Sequence, residues 1–312
     1  MTASVRIHRW RGSAAVTLVS GPLQATFVPE LNLLGTSLRL DGEEFLDLPG
    51  GLATYRHRHQ TGLPLLAPWA NRLGAWAYRV RRTRVNLEGL DLYSEGGLPL
   101  HGTMTGANAW NLQTVSTRGE VARLRASFDY VRQDLLAAFP FPHRLERECR
   151  VDGRSLSVTT TVRPAGDRAV PVSFGFHPYL RLPSGPRSSW RLLLPKRQHL
   201  SLDERGIPSG RRVEQPPESD PIGARTFDDL YELSGGRRLG IAGSERSLFV
   251  EFGRGYRFAQ VFAPAGARFV CLEPMTAPTN ALVAGGYPVV SPGESFTARF
   301  SIRPERATSP GA

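Results

Sequence analysis

An all-β fold, built as a large antiparallel β-sandwich, is what this sequence predicts, and three observations predict it. Apolar and β-branched residues recur at every second position through most of the chain, as half-buried strands require. Turn-forming residues separate these runs, drawing on 32 glycines and 25 prolines. No stretch of about a dozen residues carries a convincing helical apolar stripe, and the nearest approach is the short segment 134–139.

Taken in order, strands are expected over 14–19, 24–28, 36–40, 78–87, 122–131, 145–151, 156–162, 170–176, 248–252, 258–262, 269–273 and 296–302. Between Val151 and Leu156 lies Asp152-Gly153, which reads as a two-residue hairpin turn with positive φ at both residues. Within 170–176 the alternation puts Val170, Val172, Phe174 and Phe176 on one face, so His177 leaves on the other. Pro178 then stops further ladder pairing. The Pro-rich section 183–221 reads as long connections inside one domain. Residues 1–302 are expected to form that single domain, with 303–312 a frayed polar tail.

Composition excludes several function classes. The 312 residues contain no apolar run long enough to span a membrane and no signal-type start, so a cytoplasmic protein without membrane contact is expected. Cys149 and Cys271 lie far apart in apolar stretches and read as small buried hydrophobes. The net charge of +11 is almost wholly arginine, with Lys196 the one lysine, and it is scattered along the chain. A nucleic-acid partner would call for a clustered basic stripe, so none is expected.

The residues that can carry chemistry are few. His177 sits at a strand end beside Tyr179, and His101 precedes Gly102, whose backbone can approach a neighbour closely. Glu273 shares the phase of Phe269 and Cys271 in a buried strand. A carboxyl there must be paired, hydrogen-bonded or shifted in pKa, and a structural ion pair with an arginine is the competing reading. Asn71-Arg72 set an amide beside a guanidinium in a turn-like apolar segment. Asp228-Asp229 are a second acidic locus whose ordinary reading is a turn or cap, and the pattern does not choose between them. Arg181 shares Tyr179's side if the chain stays extended and is the candidate for reading charge on a ligand, against a solvent-facing arginine as the plain reading.

The types and order of these residues resemble the aldose 1-epimerase (galactose mutarotase-like) family over nearly the whole chain. Asn71-Arg72 with Gly74, Leu100-His101-Gly102 with Trp110, Phe176-His177-Pro178-Tyr179, Asp228 with Tyr231, Gln260 and Glu273-Pro274 follow one another as the family's short motifs do. The resemblance implies a galactose mutarotase-like supersandwich that interconverts the α and β anomers of a free or anionic aldose. It implies Glu273 as base and His177 as acid, with Asn71, Arg72, His101, Tyr179, Asp228 and Gln260 binding a small-molecule sugar. It implies no metal and no other cofactor. His177 is followed by Pro178-Tyr179 rather than by the serine and aromatic of the galactose enzymes, and Glu273 opens Glu-Pro-Met-Thr. Both are closer to a bacterial branch that includes sulfosugar mutarotases, so neither the aldose nor its charge follows.

Three alternatives stay open. His57 and His59 would share a strand face and could ligate an ion in a cupin-like isomerase. Asp228 or Asp229 with Glu273 could serve a glycosidase. A non-catalytic carbohydrate-binding sandwich would need neither pair.

Overall fold

Strict alternation of buried and half-exposed residues along His143–Val151 is the local cause of the architecture, because a period of two leaves one apolar face that must be covered. The structure is a computed structural model in which residues 2–307 are described. Every pair of named strands in it is antiparallel.

Three sheets dominate. A five-stranded meander runs Ser4–Trp10, Ser13–Ser20, Leu23–Val28, Leu34–Leu40, Glu43–Glu44. A nine-stranded sheet is ordered Asn111–Arg118, Val121–Tyr130, His143–Val151, Leu156–Pro164, Phe296–Arg306, Arg246–Phe252, Arg238–Ala242, Arg191–Leu194, Glu218–Pro221. The third sheet is ordered Pro208–Gln215, Arg197–Leu202, Phe227–Glu232, Phe258–Ala263, Val270–Met275, Gly175–Phe176, Leu65–Leu66. Tyr179–Leu180 joins it beside Val270–Met275.

The main core lies between the second and third sheets. Val158, Val250 and Phe300 from one meet Ala259, Val261 and Leu272 from the other, and the rings of Phe176 and Phe300 are 4.9 Å apart across the join. Antiparallel register puts directly opposed residues on the same face, so the other face of the third sheet carries Asp228, Leu230, Gln260, Phe262, Cys271 and Glu273. That face is where the candidate chemistry collects.

Several local expectations need correction. The 151–156 hairpin exists, but its loop has four residues, with Val151 paired to Leu156. Only Gly153 in it has positive φ, and the Asp152 carboxylate accepts the backbone N–H groups of Arg154 and Ser155. The 78–87 segment is a hairpin of Ala77–Val80 and Thr83–Asn86, and 170–176 is broken into Val170–Pro171 and Gly175–Phe176. Pro178 interrupts pairing without ending it, because Tyr179 and Leu180 resume it opposite Cys271 and Val270. Section 183–221 contains four strands rather than bare connections, and Asp228-Asp229 lie within the strand Phe227–Glu232 rather than in a turn. The last strand reaches Arg306, paired with Arg246, so 303–306 belong to the sheet and not to a frayed tail. Residues 308–312 of that expected tail lie outside the described residues. His57 caps the helix Gly51–Arg56 and Arg58 has a φ of 66°, so His57 and His59 share no strand face.

Candidate active site

The central pair is assembled by register. Gly175 is opposite Met275 and Tyr179 is opposite Cys271, and continuing that register sets His177 opposite Glu273. His177 Nε2 lies 3.4 Å from Glu273 Oε1. Both residues are buried, at 6% and 1% exposure, yet Glu273 Oε2 and His177 Nδ1 have no hydrogen-bond partner within the protein. Unpartnered buried polar atoms are costly, and their persistence among facing polar side chains marks a place where a ligand can complete the bonding.

His101 completes the group, edge-on to His177 with ring centroids 5.5 Å apart. Its Nδ1 accepts the backbone N–H of Asn71 at 3.2 Å, and the His101 backbone N–H donates to the Asn71 carbonyl at 3.1 Å. A neutral imidazole accepting at Nδ1 carries its proton on Nε2, which leaves His101 a hydrogen-bond donor there. Gly102 makes this placement possible. It has a φ of 71°, and a Cβ there would overlap the Ala67 carbonyl.

Arg72 lies beside this pair of residues. Its Nη1 is 3.7 Å from Asp228 Oδ2 and its Nη2 is 3.4 Å from Glu95 Oε1, while Asn71 Oδ1 accepts the Arg72 backbone N–H at 2.7 Å. Gln260 stands directly across from Glu273 in the ladder and donates from Nε2 to Asp228 Oδ1 at 2.6 Å. Tyr179 stacks on His177, with centroids 4.8 Å apart and planes inclined by 16°, and Phe262 and Phe269 extend the aromatic wall. Glu273, His177, His101, Asn71, Arg72, Asp228, Gln260 and Tyr179 are therefore brought together. Asp228 is the member of its pair on this face, whereas Asp229 meets His199 at 3.0 Å from the opposite face. Trp110 belongs to the core instead, donating to Asn32 beneath the Arg147 guanidinium.

Two contributors escaped the sequence reading. Glu95 anchors the free end of Arg72. Asn280 accepts the Gly74 N–H at 2.7 Å and donates its own N–H to the Arg72 carbonyl, fixing the backbone that carries Arg72. The only signal for Asn280 was a polar residue closing the Glu-Pro-Met-Thr-Ala-Pro-Thr-Asn run, and Glu95 carried no signal beyond being acidic.

Burial sets the proton affinities. Desolvation pushes Glu273 well above the usual carboxyl range, reinforced by the nearby Asp228 charge and partly opposed by Arg72. Desolvation pulls His177 down to about 3 and His101 well below the usual imidazole range, the latter helped by His177 and Arg72. The site thus favours the neutral forms of all three groups. Among the described residues no three His, Cys, Asp or Glu side chains are grouped to hold a metal ion, and no helix is long and apolar enough to cross a membrane.

A profile of the aldose 1-epimerase family matches residues 36–303, and the chain belongs to that family. Among solved structures it is similar to a galactose mutarotase-like protein from Clostridium acetobutylicum, with a TM-score of 0.85 and 17% identity over 98% of this chain and 99% of that one. A Synechocystis sp. PCC 6803 protein gives a TM-score of 0.78 and 21% identity over 97% and 99% of the two chains. Galactose 1-epimerase from Lactobacillus acidophilus NCFM gives 0.80 and 15% over 98% and 99%. These likenesses bear out the antiparallel mutarotase-like sandwich expected from the sequence. Comparison with curated proteins returned no match.

Proposed function

We propose that this chain is an aldose 1-epimerase that interconverts the α and β anomers of a small-molecule aldose by general acid/base ring opening and closure. The observation that carries this reading is the buried His177–Glu273 pair, 3.4 Å apart, with an unsatisfied polar atom on each partner.

Opening a cyclic hemiacetal requires one proton to leave the anomeric hydroxyl and one to reach the ring oxygen. A base and an acid acting together avoid a free alkoxide or a free oxonium. Transfer of the Glu273 carboxyl proton to His177, whose Nε2 lies 3.4 Å away, produces a carboxylate and an imidazolium without changing the net charge of the site. The Glu273 carboxylate takes the anomeric proton, the C1–O5 bond breaks as the carbonyl forms, and O5 takes the proton from His177. Rotation about C1–C2 presents the other carbonyl face. Closure returns both protons along the same routes, so the enzyme ends as it began.

The remaining residues act on position and charge. His101 Nε2–H and the Arg72 guanidinium are donors for the ring oxygen and adjacent hydroxyls, and Asp228 orients hydroxyls through charge-assisted bonds. Gln260, Asn71 and Tyr179 line the sugar. No step requires a metal, a nucleotide or a covalent intermediate.

The test is polarimetry on freshly dissolved single anomers of a panel of neutral and anionic aldoses at matched pH and buffer. At least one aldose is expected to reach anomeric equilibrium faster in proportion to enzyme concentration. A panel in which none outpaces buffer would instead favour a carbohydrate-binding sandwich.

A further inference from the structure

Arg72 is held in two different ways. Its guanidinium is held loosely: Nη2 is 3.4 Å from Glu95 Oε1, Nη1 is 3.4 Å from Asn71 Oδ1, and Nη1 is 3.7 Å from Asp228 Oδ2. Charge-assisted N–H···O bonds of full strength are about 2.7–2.9 Å long. Its backbone is held closely. The Arg72 N–H reaches Asn71 Oδ1 at 2.7 Å, the Arg72 carbonyl accepts the Asn280 N–H at 2.9 Å, and the Gly74 N–H donates to Asn280 Oδ1 at 2.7 Å. The guanidinium is therefore placed by the backbone beneath it, and Asn280 makes two of these three backbone contacts.

The conformation of Asn280 is fitted to this contact. It has φ 68° and ψ 14°, in the left-handed region that asparagine enters more readily than most residues with a side chain. It stands at the N-cap of the helical turn Ala281–Ala284, where an asparagine ordinarily bonds its own helix, yet its side chain makes no such bond. The side chain goes to Gly74 instead, 206 positions away in sequence. Gly74 leaves the room: a Cβ there would lie 3.2 Å from both Oδ1 and Nδ2 of Asn280.

The same segment leads back to the candidate base. Asn280 follows the strand Val270–Met275, which carries Glu273, and between them Thr276 is tied to the Phe174 carbonyl by its N–H at 3.0 Å and by its hydroxyl at 2.9 Å. On its other side the 71–74 turn meets the His101 segment: the Leu73 N–H donates to the Pro99 carbonyl at 3.0 Å, and the Asn71 carbonyl accepts the His101 N–H at 3.1 Å. The turn is thus pinned between the segment that carries His101 and the segment that carries Glu273.

We propose that Asn280 is a positioning residue for the reaction, setting the Arg72 guanidinium against Glu273 through the backbone of the 71–74 turn. This rests on the mutarotase reading of the site. Arg72 is one of the donors to the ring oxygen, and such donors count most as the C1–O5 bond breaks and charge gathers on O5. A shift of the turn therefore costs turnover more than ground-state binding.

The experiment compares Asn280→Gly and Asn280→Asp with wild type. Glycine enters the left-handed region freely, so it removes the amide without adding backbone strain, whereas aspartate keeps an acceptor oxygen. Catalysed anomerisation is measured by polarimetry at a temperature where every variant is folded, on the aldose that wild type accelerates most, in the wild-type and the Arg72→Ala backgrounds. Asn280→Gly is expected to lower kcat by about tenfold or more while KM changes by less than about threefold. Asn280→Asp should stay within about threefold of wild type, and in the Arg72→Ala background Asn280→Gly should cost less than about twofold further, as coupled residues do. A lowered Tm with unchanged kcat, an equal loss in the Arg72→Ala background, or an Asn280→Asp variant as slow as Asn280→Gly would overturn the proposal. Hydrogen exchange of the Gly74 amide, followed by NMR on the sugar-free proteins, is expected to be faster in Asn280→Gly and near wild type in Asn280→Asp. If wild type accelerates no aldose, the mutarotase reading fails, and the hold of Asn280 on the turn is still judged by exchange: a Gly74 amide indifferent to Asn280→Gly overturns it.

Discussion

At the scale of single residues, the site stores unfavourable burial where a ligand can use it. Glu273 is the clearest case. Its carboxyl holds a proton more tightly in the fold than in the unfolded chain, so the folded state binds more protons as pH climbs above about 4.3. Stability therefore declines as pH rises from there through the raised pKa of the folded state. Glu273→Gln removes the titration and keeps the shape. The variant should match wild type near pH 4 and exceed it by about 0.5–2 kcal/mol at neutral pH and above, the usual gain when a functional burial penalty is removed. Chemical denaturation at several pH values checks this; a variant less stable than wild type at pH 8 would show that the carboxylate is held by interactions the structure lacks. The residue types at this site were legible in the sequence, because histidines and a carboxyl in apolar surroundings stand out. Glu95 and Asn280 were not, because their contribution is to hold Arg72 in place and nothing local announces it.

At the scale of elements, strands with one wet and one dry face were readable and strands without that asymmetry were not. His143–Val151 alternates perfectly, whereas Pro208–Gln215 is exposed or half-exposed at every position, so 183–221 read as loop. Phe227–Glu232 was missed for a related reason: its outward residues include Asp228, whose partners Gln260 and Arg72 are supplied by other segments. The Asn71–Gly102 junction is the element on which the imidazole donor depends, since the two backbones exchange hydrogen bonds through His101. Gly102→Ala should cost about 1–3 kcal/mol from positive-φ strain and overlap with Ala67. Turnover should also fall by about tenfold or more as His101 shifts, because small misplacements of a positioned group are expensive. Thermal melts beside saturation kinetics at a temperature where the variant is folded separate the two effects; unchanged kcat with lowered Tm would confine Gly102 to stability.

At the scale of the molecule, the sandwich brings together segments far apart in sequence on the face of the third sheet that points away from the main core. Composition and periodicity foretold the sandwich, but the register that sets His177 opposite Glu273 lies in strand pairings no local pattern encodes. The central claim is that the His177–Glu273 pair moves the two protons of ring opening. Its most direct test is exchange NMR of anomeric protons on an aldose the wild-type protein accelerates, repeated with Glu273→Gln and His177→Asn variants whose folding is verified by circular dichroism. Each substitution is expected to lower the catalysed exchange rate by at least ~100-fold, with the sugar still bound. Exchange at the wild-type rate in either folded variant would contradict the assignment of that residue as acid or base.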